Sequence, residues 1–105
     1  MKKSKLELEN TGRKMMIRAL AWAMRQHPDR MTSLEKLVLI YLADVSDEDH
    51  VVHLNRYKIA RFASMTQEDV NDILLSLADK GYIKPLEDDI ETLDKVTLYK
   101  LIVTQ

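Results

Sequence analysis

Residues 55–83 read NRYKIARFASMTQEDVNDILLSLADKGYI, and their punctuation decides the fold. A short helix over Arg56 to Ala63, with Ile59, Ala60 and Phe62 as candidate core residues, meets a break at Ala63 to Thr66. Thr66 then supplies an N-cap with Asp69 three places on, a weaker form of the box that satisfies two orphan backbone donors. The helix it opens turns Val70, Ile73, Leu74 and Leu77 inward and runs to about Lys80. Gly81 stands where a left-handed C′ residue belongs, a conformation that only Gly or Asn takes cheaply. The β-formers Tyr82 and Ile83 follow. The order is two helices joined at a tight corner and running into a strand.

The flanks extend this pattern. Upstream, Thr32 with Glu35 forms a full capping box, and Leu34, Leu37, Val38, Tyr41 and Leu42 repeat at helical spacing to Ala43. The polar run SDEDH, Ser46 to His50, is the exit loop, and Val51 to Leu54 predicts a brief strand. Downstream, strands are expected over Tyr82 to Leu86 and Val96 to Val103, with Thr97, Tyr99, Leu101 and Val103 on one side and Val96, Leu98, Lys100 and Ile102 on the other. Their connector, EDDIETLDK, is long and acidic.

At the front, Thr11 to His27 predicts an amphipathic helix, and Pro28 stops it by forcing the preceding residue out of the α region. Its charges, Arg13, Lys14, Arg18 and Arg25, fall within about 140° of one another, so the apolar arc is wider than the ordinary ~100° stripe. The expectation is a helix that packs on the domain with one side and on another subunit with the other. Met16, Leu20, Trp22 and Met24 are the candidate oligomerisation residues. Three segments result: a basic arm over 1–10, the amphipathic helix over 11–28, and a domain over 32–105.

The segment MTSLEKLVLIYLAD followed by NRYKIARFASMTQEDVNDILLSLADKGYI resembles the winged helix-turn-helix domains of bacterial, plasmid and phage replication initiators and regulators. The resemblance covers about seventy residues. It rests on the capped first helix, the I-A-x-x-A-x-M-[ST] corner and the L-x-x-L-x-x-x-G-[aromatic]-I exit. It implies a mainly α fold with a small β-sheet, a winged helix preceded by an extra N-terminal helix, and DNA as the partner. Where relatives often place Arg or Lys after the corner, this chain has Gln67, Glu68, Asn71 and Asp72. Gln67 and Asn71 retain the amide that reads an adenine edge. Arg56, Lys58 and Arg61, with Tyr57 among them, are the expected phosphate contacts. Lys84 and Lys95 near the wing are further candidates among acidic neighbours. The N-terminal Lys2, Lys3, Lys5, Arg13, Lys14 and Arg18 form the densest cationic group, suited to a phosphate or minor-groove contact.

Composition bounds the alternatives. With 105 residues and 46% apolar content, one domain with its own core is the default. The absence of cysteine excludes disulfide frameworks, zinc–thiolate sites and cysteine nucleophiles. The basic opening is not followed by an apolar h-region, so no export signal is expected, and no run approaches the roughly 20 residues of a membrane span. A cytoplasmic protein is the expectation. The net charge of -1 hides a gradient: residues 1–31 carry eight Lys and Arg against three Asp and Glu, and residues 64–105 carry four against nine. Such asymmetry suits a surface that meets nucleic acid from one end, or a head-to-tail contact between subunits.

No glycine-rich phosphate loop or nucleophile elbow is present, so neither an enzyme, a cofactor nor a small-molecule substrate is expected. His50 and His53 flank two valines at a strand onset and are not expected to converge on a metal. The function expected is a non-enzymatic DNA-binding regulator, dimeric through its N-terminal helix. The alternative is a protein-interaction module on the same scaffold, presenting its acidic helix, with Leu75 on the charged face, to a basic partner.

Overall fold

The computed structural model describes residues 18–26, 29–86 and 97–104. The helix over residues 18–24 (α1) is followed by α2 (Ser33–Val45), β1 (Val51–His53), α3 (Arg56–Ala63), α4 (Gln67–Asp79), β2 (Ile83–Pro85) and β3 (Leu98–Leu101). The strands form one antiparallel sheet in the order β1-β3-β2. The chain is therefore mainly helical with a small antiparallel sheet, and α1 precedes the unit formed by α2 to β3. The acidic connector, the arm over 1–10 and the first part of the expected N-terminal helix lie outside the described residues, as do Met16 and Lys95.

Local chemistry sets each boundary. Thr32 Oγ1 accepts from the Glu35 N–H at 3.1 Å while Glu35 Oε1 accepts from the Thr32 N–H at 2.9 Å. Thr66 and Asp69 make the same reciprocal pair. Asn55 caps α3, its side chain accepting from the Lys58 N–H. At the other ends, α3 and α4 close alike. The Met65 N–H donates to the Ala60 carbonyl, and the Tyr82 N–H to the Leu77 carbonyl. Each closure is a six-to-one bond around a left-handed residue. Gly81, at φ 84°, fills that position after α4 as expected; Ser64, at φ 54°, fills it after α3.

The core lies between the helices and one face of the sheet. Val38, Leu39 and Leu42 from α2 meet Ile59 and Ala60 from α3, Val70, Leu74 and Leu77 from α4, and Val52, Ile83, Tyr99 and Leu101 from the strands. Burial of each large side chain removes enough apolar surface to contribute about 1.5–3 kcal/mol. Three expectations are corrected. Phe62 is 50% exposed and stacks on the flank of Tyr41, with ring centroids 4.8 Å apart. Leu34 is exposed, and Leu39, which is not among the residues expected at helical spacing, takes the buried place. Ile73 packs only partly against the core.

A further correction concerns α1. Trp22 is 2% exposed, with Ala19 and Ala23 beside it on the same buried stripe. Its ring lies 6.2 Å from that of Tyr82, and its Nε1 donates to Thr104 Oγ1. The chain's own core uses Trp22, which leaves it no surface to offer a second copy. Leu20 is half-buried against the same core, and Met24 remains 60% exposed. Part of the wide apolar arc is thus covered from within, by the end of the sheet where β1 and β2 begin and β3 finishes.

Candidate nucleic-acid interface

The corner between α3 and α4 presents a shallow hollow of about 450 Å³, lined by Tyr57, Ala60, Arg61, Ser64, Met65, Thr66, Gln67 and Asp69. Three of the expected contact residues, Tyr57, Arg61 and Gln67, converge there. Tyr57 and Arg61 lie one turn apart on α3, and the helix carries both outward while Ile59 and Ala60 face inward. The Arg61 guanidinium sits over the Tyr57 ring, 5.8 Å from its centroid, and its Nη1 is 3.4 Å from the phenol oxygen. This cation–π contact holds the guanidinium in one orientation beside the start of α4. Gln67, the first residue of α4, is exposed.

The other four candidates divide. Arg56 and Asn71 face each other across the two helices, Arg56 Nε donating to Asn71 Oδ1 at 2.5 Å. The carbonyl end of the Asn71 amide is therefore occupied, and a bidentate grip on adenine requires both ends. This corrects its expected role: Asn71 joins α3 to α4. Lys58 is exposed but borders a different cavity, of about 140 Å³, with Tyr41, Val45, His53 and Leu54 on its walls. Lys84 is exposed on the outer face of the sheet, directly opposite Lys100 in the β2–β3 register. Like charges placed opposite each other weaken a strand pair, and an anion between them removes that cost.

Acid dominates the outward face of α4, where Glu68, Asp69, Asp72 and Asp79 are exposed and Leu75 is partly so. Asp69 is committed to its cap, and Glu68 and Asp69 lie in the first turn, where the helix dipole favours negative charge.

One carboxylate is internal. Glu35 is 4% exposed, yet it accepts from Ser76 Oγ at 2.5 Å and from Lys80 Nζ at 2.9 Å in addition to its cap bond. Burial by itself raises its pKa; the hydrogen bonds from Ser76, Lys80 and Thr32 outweigh burial and hold the carboxyl at about 2, below the ordinary 4.5. This cluster fixes the end of α4 against the start of α2. The capping box was visible in the sequence; its second use, 45 residues away, had no local signal.

His50 and His53 line separate cavities, and among the described residues no three His, Cys, Asp or Glu side chains group as a metal site. No helix among the described residues is long and apolar enough to cross a membrane. Comparison with protein-family models, curated proteins and solved structures gave no match to this chain.

Proposed function

We infer that the chain is a non-enzymatic DNA-binding regulator that grips the phosphate backbone with α3 rather than reading bases with the whole of α4. The observation that carries this reading is the convergence of Tyr57, Arg61 and Gln67 on one exposed hollow at the helix corner. A guanidinium held over a tyrosine ring offers planar, bidentate donors to a phosphate. Lys58, one turn before Phe62 on α3, and the Lys84–Lys100 pair add positive charge for backbone contact. Gln67 is the one amide left for a base edge, so discrimination between sequences is weak in this reading. A polarisation titration with mixed-sequence duplexes at about 50 mM salt, where phosphate contacts are strongest, tests it. Saturable binding that is weakened in Arg61→Gln supports the reading, and absence of binding contradicts it.

A second reading is favoured by the exposed carboxylates of α4 around Leu75. In it, α4 faces a basic protein partner, and Glu68, Asp72 and Asp79 supply complementary charge. Charge reversal at Asp72 and Asp79 separates the two: Asp→Lys changes strengthen DNA binding by relieving repulsion but abolish capture by a basic partner. A cytoplasmic location and a homodimer belong to both readings. Exposed Met24 and half-buried Leu20 are the described residues on which dimerisation through α1 rests.

A further inference from the structure

A second concavity, of about 480 Å³, lies between α1 and the end of the sheet, lined by Arg18, Arg25, His50, Val103 and Thr104. Its volume is in the range of small-molecule sites, roughly 300–1,000 Å³. Among the described residues of that lining, every polar side chain is a donor or has a donor to spare. Arg18 and Arg25 lie two helical turns apart, about 10 Å along one side of α1, and among the described residues neither is ion-paired. Thr104 Oγ1 already accepts from Trp22 Nε1, so its own hydrogen is free to point elsewhere. An imidazole presents an N–H in either neutral tautomer, and His50 Nδ1 is buried with no hydrogen-bond partner among the described residues.

The backbone that presents His50 is held away from its relaxed shape. His50 has φ 63°, a left-handed conformation that costs a side-chain-bearing residue roughly 1–2 kcal/mol. Asp47 enforces it: its carboxylate accepts from the N–H groups of Asp49 and Val51, and its carbonyl accepts from the His50 N–H. The His50 carbonyl in turn accepts from the Leu101 N–H at 2.8 Å, fixing the turn to β3. The nearest carboxylates in sequence, Asp47, Glu48 and Asp49, belong to this turn and do not line the concavity.

Two guanidiniums, an imidazole and a hydroxyl among the described residues of its wall fit a ligand that only accepts hydrogen bonds and carries negative charge. We propose that Arg18, Arg25, His50 and Thr104 form a binding site for a phosphate group. The site is separate from the helix corner. Thr104 contacts Trp22, whose ring meets Tyr82 just beyond the end of α4, whereas the corner is at the start of that helix, about 20 Å away.

The test is a titration of the full chain with inorganic phosphate, followed by NMR of the histidine side chains, with chloride at matched ionic strength as the control. The expected result is a saturable shift of the His50 signals in the millimolar range, absent with chloride and weakened about tenfold or more in Arg18→Gln/Arg25→Gln. His50→Asn, which tolerates the left-handed backbone, weakens phosphate binding while the fold is kept. A mononucleotide and a short duplex in parallel titrations distinguish the source. A His50 shift with the mononucleotide alone assigns the site to a free phosphate compound, and a shift with duplex assigns it to the nucleic-acid backbone. A linear, unsaturated response, or equal affinity in the double arginine variant, overturns the proposal. Either result leaves the Arg61→Gln comparison at the helix corner unaffected.

Discussion

Arg56 of α3 donates its Nε hydrogen to the Oδ1 of Asn71 on α4, so the residue that sequence pattern offered as a base reader instead fastens the two helices to each other. The consequence is measurable. Asn71→Ala removes a charge-assisted hydrogen bond and lowers stability by about 1–2 kcal/mol in urea titrations, while DNA affinity at matched salt changes by less than about threefold. A double-mutant cycle with Arg56→Ala returns a coupling energy of roughly 0.5–2 kcal/mol. Full additivity of the two changes contradicts the pairing.

Acid sensitivity is the second expectation. The Glu35 carboxyl has its pKa lowered to about 2 in the folded chain, below the ordinary 4.5. A depressed carboxyl pKa contributes stability that is fully present above the unfolded value and is lost as pH falls from about 4.5 towards 2. The contribution is on the order of 2–3 kcal/mol, with Lys80 partly solvated. Glu35→Gln removes it at neutral pH and flattens the acid limb of the stability profile across that window. An unchanged acid limb in the variant counts against the cluster.

Backbone handedness separates the two helix closures. At Gly81 a Cβ meets nothing within 4 Å, so Gly81→Ala costs only the left-handed backbone energy, about 1–2 kcal/mol. Ser64 already carries that strain, and Ser64→Gly relieves it, offset in part by the greater freedom of glycine in the unfolded chain. A net gain of about 0.5–1 kcal/mol is expected from thermal unfolding, opposite in sign to the change at Gly81.

These positions show what local pattern carries. Both capping boxes and Gly81 were legible because each signal lies within four residues and has one inexpensive backbone solution. Ser64 was not, because serine has no intrinsic preference for the left-handed region and only the packing of α4 against α3 imposes it. Phe62 was misplaced for a related reason: an eight-residue helix has room for one narrow buried stripe, which Ile59 and Ala60 fill, and hydrophobicity alone does not reveal which side is inward. The candidate contact residues at the corner were legible as residue types. Which of them converge, Tyr57, Arg61 and Gln67, and which is diverted, Asn71, depended on how the two helices cross.

Phe62→Ala therefore behaves as a surface change. Half of the ring is solvated and the remainder rests on Tyr41, so the loss expected in denaturant titration is about 1 kcal/mol. A loss in the 3–5 kcal/mol range of buried aromatic truncations contradicts the exposed placement.

The claim that α3 holds DNA by its phosphates is tested most directly by the salt dependence of binding. Association constants for a mixed-sequence duplex, measured by polarisation across a salt series, are compared between the natural chain and Lys58→Gln/Arg61→Gln. Each lost phosphate contact lowers the steepness of log K against log salt by about 0.9, so the double variant binds more weakly with a slope shallower by up to about 1.8. An undiminished slope, or no binding by the natural chain at low salt, contradicts the account.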